Sequence, residues 1–421
     1  MSTLTASSTH ACVVKADSTV WCWGSATRDQ TYAWSAVPVL LVLPPGVVAK
    51  WVSAGPLHTC AISVVGDVYC WGQNFAGQLG NGRVEESGTS SEKAEKVALP
   101  GPASTVSMGF AHSCALLENG RVFCWGGNHL GQSGLDPGVT CTDLSTWQTI
   151  PDILSHASPT VPIVVPFANE IPLTGVTDLK TVKHHNCAQI GYAIYCWGSN
   201  CGGDGDDLVG LCTYQCEPPC AQNQPFAGDP AGGQLQITPS TTNEDCFRAI
   251  PVKMETMGNV QTFGLGFSST FAIRFDGSGS GPVYAWGANG YGQLGLGSPT
   301  AYEASAKTVV NQTDDLFGSA TNLISSEGAD MCAKRSDGWW CWGVNQHGEL
   351  GWAPGDSRPY AWKSASIPKD AMQIARGDDY GCALSPPGSA EVWCWGRAGR
   401  LGNGEAEGGP DRSDPVRVFW P

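Results

Sequence analysis

The chain has 421 residues, with 38 acidic against 23 basic side chains, a formal net charge of −15 and only 14% charged residues in all. An acidic surface repels phosphate backbones, so a nucleic-acid partner is not expected. No apolar run reaches the ~18 residues of a spanning helix, and no basic cluster suits a membrane surface, so membrane insertion is not expected either.

Residues 1–10 (MSTLTASSTH) have neither a charged start nor an apolar stretch, and no signal peptide is legible there. A first hairpin follows at once, with Cys12 and Cys22 on either side of a turn and Trp23-Gly24 behind it. The second hairpin is the cleanest. It runs Val52 to Ile62 through His58 and Cys60, turns at Gly66-Asp67, and returns as Val68-Tyr69-Cys70-Trp71-Gly72 before Gly77-Gln78-Leu79-Gly80. Gly-Asp and Asn-Gly pairs between apolar runs are turn signals, and they recur in form at Asn119-Gly120, Asp276-Gly277 and Asp337-Gly338. The Trp-Gly pair itself recurs at Trp23, Trp71, Trp125, Trp197, Trp286, Trp342 and Trp395. A unit of about 50 residues thus repeats seven times, interrupted by insertions at about 135–175 and 199–249. With 54 glycines, nearly double the ~7% norm, and short alternating runs, the chain reads as all-β. A unit this small cannot bury its apolar face alone, so residues 1–421 are expected to form one domain. Both insertions fall at the same point of consecutive repeats and are therefore expected to lie side by side on one face of the domain.

Six Trp-Gly pairs carry a Cys directly before the Trp and another 9 to 12 residues upstream. Cys12 goes with Cys22, Cys60 with Cys70, and Cys114 with Cys124. Further along, Cys187 goes with Cys196, Cys332 with Cys341, and Cys382 with Cys394. The fifth repeat loses both, with Phe271 and Ala285 in their places. Joint loss is what a bonded pair predicts. The remaining cysteines, Cys141, Cys201, Cys212, Cys216, Cys220 and Cys246, all fall in the insertions and are expected to pair among themselves, one bridge joining the two insertions. The spacing Cys212-x3-Cys216-x3-Cys220 also allows a zinc site, but no His lies close by. Disulfides are the preferred reading, with no metal and no cofactor. Eighteen cysteines point to an oxidising compartment, so an extracellular or cell-surface location is expected, with an export signal removed.

The segments G-P-L-H-T-C-A-I, G-D-V-Y-C-W-G and G-Q-L-G resemble the regulator-of-chromosome-condensation repeat. The match recurs at Gly131-Gln132-Ser133-Gly134, Gly292-Gln293-Leu294-Gly295 and Gly348-Glu349-Leu350-Gly351, and in part at Gly399-Arg400-Leu401-Gly402. The resemblance implies a seven-bladed β-propeller with four-stranded blades. Segments such as Val37-Pro38-Val39-Leu40 and Ile250-Pro251-Val252-Lys253 stand before most repeats but not before the first. The C-terminal run Asp414 to Phe419 is therefore expected to join the first blade and close the ring. The light-sensing tryptophans of the family's plant UV-B photoreceptor sit in G-W-R-H-T segments. Gly55-Pro56-Leu57-His58-Thr59 and Gly109-Phe110-Ala111-His112-Ser113 have neither Trp nor Arg, so a light sensor is not expected.

Two residues before each first Cys stand His10, His58, His112 and His185, then Ser269, Asp330 and Tyr380. Four adjacent imidazoles on one ring could bind a ligand or sense pH; alternatively each bonds within its own blade. Asp204-Gly205-Asp206-Asp207 could hold calcium but lacks the spacing of a helical calcium loop. No catalytic motif is present. The expected function is a non-catalytic extracellular module, a monomer that binds or inhibits another protein; the family's secreted propellers include β-lactamase inhibitors. Trp147, Tyr214 and Phe226 are the insertion aromatics best suited to anchor it. The alternatives are an intracellular nucleotide-exchange or chromatin adaptor and a glycan-active enzyme, which would need carboxylates and basic groups converging at one mouth of the channel.

Overall fold

The structure, a computed structural model, describes residues 3–28, 33–86, 90–136, 158–166, 172–199, 247–254, 258–300, 302–313, 315–355, 357–385 and 391–421. Seven antiparallel sheets follow one another along the chain, each with four strands in sequential order; the fifth also pairs with a short extra strand, Ser319–Ala320. In the first blade the strands are Thr3–Ala6, His10–Val14, Val20–Arg28 and Ala33–Leu41. In the last they are Gln373–Arg376, Tyr380–Leu384, Val392–Gly396 and Arg412–Arg417. The first strands of successive blades touch in cyclic order, the last returning to Thr3–Ala6. They therefore surround the axis of a closed ring.

The Trp-Gly pair has a mechanical reason. In the second blade the pairing of the third strand with the fourth slips between Cys70 and Gly72, leaving Trp71 as a bulge. Gly72 takes φ +109°, and a Cβ there would stand 2.8 Å from the His58 Cα and the Leu57 carbonyl oxygen. The same slip occurs at Trp23, Trp197, Trp286, Trp342 and Trp395. A bulge twists the strand and re-aims its side chain, and these rings fill the spaces between blades. All seven repeat tryptophans are buried. Each of seven apolar clusters joins residues of two neighbouring blades, so the core is a set of radial layers.

Six blades have their second and third strands stapled by a disulfide, in the pairs expected from the spacing. Cys12 is bonded to Cys22, Cys60 to Cys70, and Cys114 to Cys124. Cys187 is bonded to Cys196, Cys332 to Cys341, and Cys382 to Cys394. The two members of each pair face each other directly across the ladder, with Cα atoms 4.1–4.2 Å apart. Each short closed loop contributes about 2–3 kcal/mol in the chain-entropy account. In the fifth blade Phe271 faces Ala285 at the same register, and its ring stands 6.0 Å from that of Trp342.

The closure differs from expectation. The C-terminal strand Arg412–Arg417 pairs with Val392–Gly396 of its own blade, and the first blade is complete without it. The Val-Pro-type segments are fourth strands of the blade that precedes them: Ala33–Leu41 belongs with Trp23, not with the second hairpin. The first repeat lacks such a segment in front because none is needed. Closure rests on side chains instead. Gln373 bonds Leu4, Trp23 Nε1 donates to the Arg400 carbonyl at 3.1 Å, and Trp420 meets Trp21 and Trp23 edge-on at 6.0 and 6.3 Å.

Candidate interaction face

Antiparallel order places the connections between strands one and two on the same face as those between strands three and four. Both insertions fall in connections of the second kind: residues 137–157 follow the strand Val122–Gly126 and precede Ile163–Val164, and residues 200–246 separate Ala193–Ser199 from Phe247–Lys253. Trp147, Tyr214, Phe226, the six insertion cysteines Cys141, Cys201, Cys212, Cys216, Cys220 and Cys246, and Asp204, Asp206 and Asp207 lie outside the described residues.

The repeat histidines stand at the start of their second strands, just inside this face; three of the four bond to the next blade, while His185 Nε2 is buried without a partner. His10 Nε2 meets Thr59 Oγ1 at 2.6 Å, His58 Nε2 meets Ser113 Oγ at 2.7 Å, and His112 Nε2 meets Asn186 Oδ1 at 2.9 Å. Ser113 Oγ and Asn186 Nδ2 in turn donate to the carbonyls of Gln78 and Gln132, which also accept the indole N–H of Trp125 and Trp197. One carbonyl of the G-Q-L-G turn thus takes two donors from the next blade. The final glycine of that turn sits against the same tryptophan: a Cβ on Gly80 would lie 2.7 Å from Trp125 Nε1. His10, His58, His112 and His185 are at most 1% exposed. Burial lowers their pKa values to about 4, 3, 4 and 3, so all four are neutral at pH 7.

Past the fourth blade the chemistry changes. Asp330 occupies the histidine position of blade six and forms a wholly buried ion pair with Arg376 of blade seven, whose guanidinium also donates to the Glu349 carbonyl. Tyr380 occupies it in blade seven, with burial holding its hydroxyl protonated.

The loops just before these positions form the rim of the channel, and there the repeats diverge: Ser8-Thr9, Pro56-Leu57, Phe110-Ala111, Lys183-His184, Phe267-Ser268, Gly328-Ala329 and Asp378-Asp379. One arc is aromatic. His184 lies 5.8 Å from Phe110 and 5.6 Å from His129, and Lys183 stands 4.1 Å over Phe267. His184 is half-buried as a residue, yet both of its ring nitrogens are shut off from solvent without a partner. Burial and the neighbouring imidazoles His129 and His112 push its pKa well below the usual value.

The opposite arc is charged. Glu327 accepts the Ser8 amide at 2.5 Å, Asp379 holds Arg397 at 2.9 Å and Arg400 at 2.8 Å, and Arg400 also donates to the Ser8 carbonyl. Burial raises the Glu327 carboxyl to about 7. Carboxylates and guanidinium groups do converge here, as a glycan-cleaving site would require, but these bonds tie blades six and seven to blade one. The rim positions were legible in principle, as the variable residues directly ahead of a constant one.

The family model of the regulator of chromosome condensation (RCC1) repeat matches residues 48–78 and 103–132, and a second model of the same description matches 65–116 and 280–307. The rat probable E3 ubiquitin-protein ligase HERC4 is 30% identical over 182 residues, 42% of this chain and 16% of the ligase. The Arabidopsis thaliana ultraviolet-B receptor UVR8 is 23% identical over 316 residues, 74% of this chain and 58% of the receptor. The chain thus spans less than two thirds of the length of these relatives. Among solved structures, human WBSCR16 superposes with a TM-score of 0.64 at 18% identity, covering 92% of this chain and 85% of that one. Prp20p of Saccharomyces cerevisiae superposes with a TM-score of 0.51 at 17% identity, covering 99% and 76%. At these identities the superpositions speak for the fold. With its Trp-Gly bulges, its G-Q-L-G turns and these matches over parts of its length, the chain carries RCC1 repeats and folds as a seven-bladed β-propeller.

Proposed function

We propose that this propeller is a non-catalytic protein-binding module of an oxidising, extracellular compartment, and that its partner sits on the face bearing the variable rim loops and the roots of the two insertions. The observation that carries the reading is the set of six buried disulfides, one in every blade but the fifth. Such bonds persist where thiols are oxidised. Binding is supported by the division of labour in each repeat: the His, Trp and G-Q-L-G positions fasten blades together, while the rim loops vary in shape and charge. Loops held on a rigid scaffold are where recognition residues concentrate. In this reading the two insertions would lie side by side on this face, with Trp147, Tyr214 and Phe226 as anchors and their six cysteines bridged.

The test is capture of partners from secreted and from cytosolic fractions, comparing the native chain with a Phe110→Ala, Lys183→Glu variant. The reading requires a partner from the secreted fraction that the variant loses. A partner found in the cytosolic fraction alone overturns it. A second reading, an intracellular nucleotide-exchange or chromatin adaptor, is favoured by the superposition on Prp20p, a structure described together with its binding properties to Gsp1p and histones. The net charge of −15 would suit a basic partner. In that case a cytosolic GTPase or histone is the captured species.

A further inference from the structure

The opposite face carries the turns between second and third strands. Two of them, in neighbouring blades, present Tyr192 and Phe275, which are 58% and 37% exposed. Their rings stack with centroids 5.6 Å apart and an interplanar angle of 24°. Gly-Asp or Asn-Gly pairs occupy the equivalent turns at Gly66-Asp67 and Asn119-Gly120, so aromatic rings are not what this turn needs.

The backbone under the pair is fixed from both sides. Val260 N–H donates to the Tyr192 carbonyl at 2.9 Å, and Phe275 N–H donates to the Asn259 carbonyl at 2.6 Å. Asn259 itself takes φ +57°, a left-handed conformation uncommon outside glycine. The platform is thus held in place before anything binds, which lowers the ordering cost of association.

Several other aromatics of the chain, half-buried or buried, carry one of its own cations. Lys15 stands 4.3 Å over Trp420, Arg121 5.1 Å over Phe123, and Arg358 4.6 Å over Trp362. Arg335 lies 5.2 Å from Phe317 and 4.8 Å from Trp340. Among the described residues, no lysine or arginine stands over Tyr192 or Phe275. Asp276 follows Phe275 in the chain and is exposed, with its Oδ1 accepting both the amide and the hydroxyl of Ser278 at 2.8 and 2.5 Å. Those bonds lower its pKa and keep it ionised.

We infer that Tyr192, Phe275 and Asp276 form a second docking point, on the face opposite the rim, for an arginine or lysine side chain of a basic partner segment. The cation lies on the exposed ring face, where the π quadrupole is negative, and Asp276 supplies the opposite charge beside it. The chain's acidic balance favours the approach of such a segment.

The experiment titrates the native protein, carrying ring-labelled Tyr and Phe, with the peptide Gly-Arg-Arg-Gly and separately with Gly-Leu-Leu-Gly, following the ring resonances of Tyr192 and Phe275 by NMR. The arginine peptide is expected to shift both and to saturate at a lower concentration than the leucine peptide. Asp276→Asn is expected to weaken it roughly three- to five-fold, and the double variant Tyr192→Ser, Phe275→Ser to abolish the response with an unchanged melting midpoint. Equal or tighter binding of the leucine peptide marks a plain apolar patch and overturns the inference. So does the absence of any shift, or an Asp276→Asn protein that binds as tightly as the native one.

Discussion

Gln373 bonds both backbone groups of Leu4: the Leu4 N–H donates to its Oε1 at 3.0 Å, and its Nε2 donates to the Leu4 carbonyl at 2.7 Å. The two residues stand at opposite ends of the chain. One side-chain amide does across the seam what a ladder pair does within a sheet, and it fastens the last blade to the first without a shared strand.

Replacing Gln373 with Ala leaves a donor and an acceptor of the buried Leu4 unmatched. The expected loss is about 2–3 kcal/mol, read as a lower denaturation midpoint. Deleting residues 418–421 removes Val418 and Trp420 from the same seam, where they pack with Leu4, Val13 and Trp23, and should also destabilise. An unchanged midpoint in both would mean that the seam is not what closes the ring.

Glu349 stands where the second, third and fifth repeats have Gln78, Gln132 and Gln293. Burial raises its carboxyl from 4.5 to about 7. A raised folded pKa contributes stability below the unfolded value, and that contribution is lost as pH climbs through the folded value. Glu349→Gln is therefore expected to stabilise the protein by about 1–2 kcal/mol at pH 8 and to change little at pH 4.5. Urea denaturation at the two pH values reads the difference.

The buried histidines have the opposite sign. His10 and His112 fall from 6.5 to about 4, and His58, His129 and His185 to about 3. Their contribution is complete above pH 6.5 and is lost as pH falls toward 4, because the unfolded chain takes up protons that the folded one refuses. Each is worth up to about 3 kcal/mol. Five such groups outweigh the opposing Glu327 and Glu349, so stability should fall steeply from pH 6.5 to pH 4. A flat profile over that range would refute neutral, buried imidazoles.

Blade five invites a seventh bridge, since Phe271 and Ala285 face each other where the other blades have cystines. A disulfide there would contribute about 2–3 kcal/mol, but removing the fully buried Phe271 ring costs about 3–5 kcal/mol. The Phe271→Cys, Ala285→Cys protein is expected to form the bridge and still melt no higher than the native chain. A clearly higher midpoint would show that Phe271 contributes little against Trp342.

Fold and staples are legible in the sequence because they recur: Trp-Gly, Cys-Trp and G-Q-L-G each mark a position that nearly every blade must fill. Closure is not, because a fourth strand such as Ala33–Leu41 stands next to the following hairpin in sequence, although it pairs with the one before. The histidine ring is legible as a row of positions, but not its direction: whether an imidazole points into the channel or into the next blade depends on Thr59, Ser113 and Asn186, one blade away. The rim carries no motif at all. His129 meets His184 on one arc, and Glu327 and Arg400 meet at Ser8 on the other, only when loops of different blades are brought side by side.

The central claim is a propeller stapled blade by blade in an oxidising compartment. Its most direct test is the intact mass of the natively produced protein, alkylated before and after reduction and followed by peptide mapping. The twelve blade cysteines should escape alkylation before reduction and take it up afterwards. Mapping should recover the six cross-strand pairs, from Cys12 with Cys22 in the first blade to Cys382 with Cys394 in the last. Free blade thiols in the native protein would contradict the account and move the intracellular reading to the front.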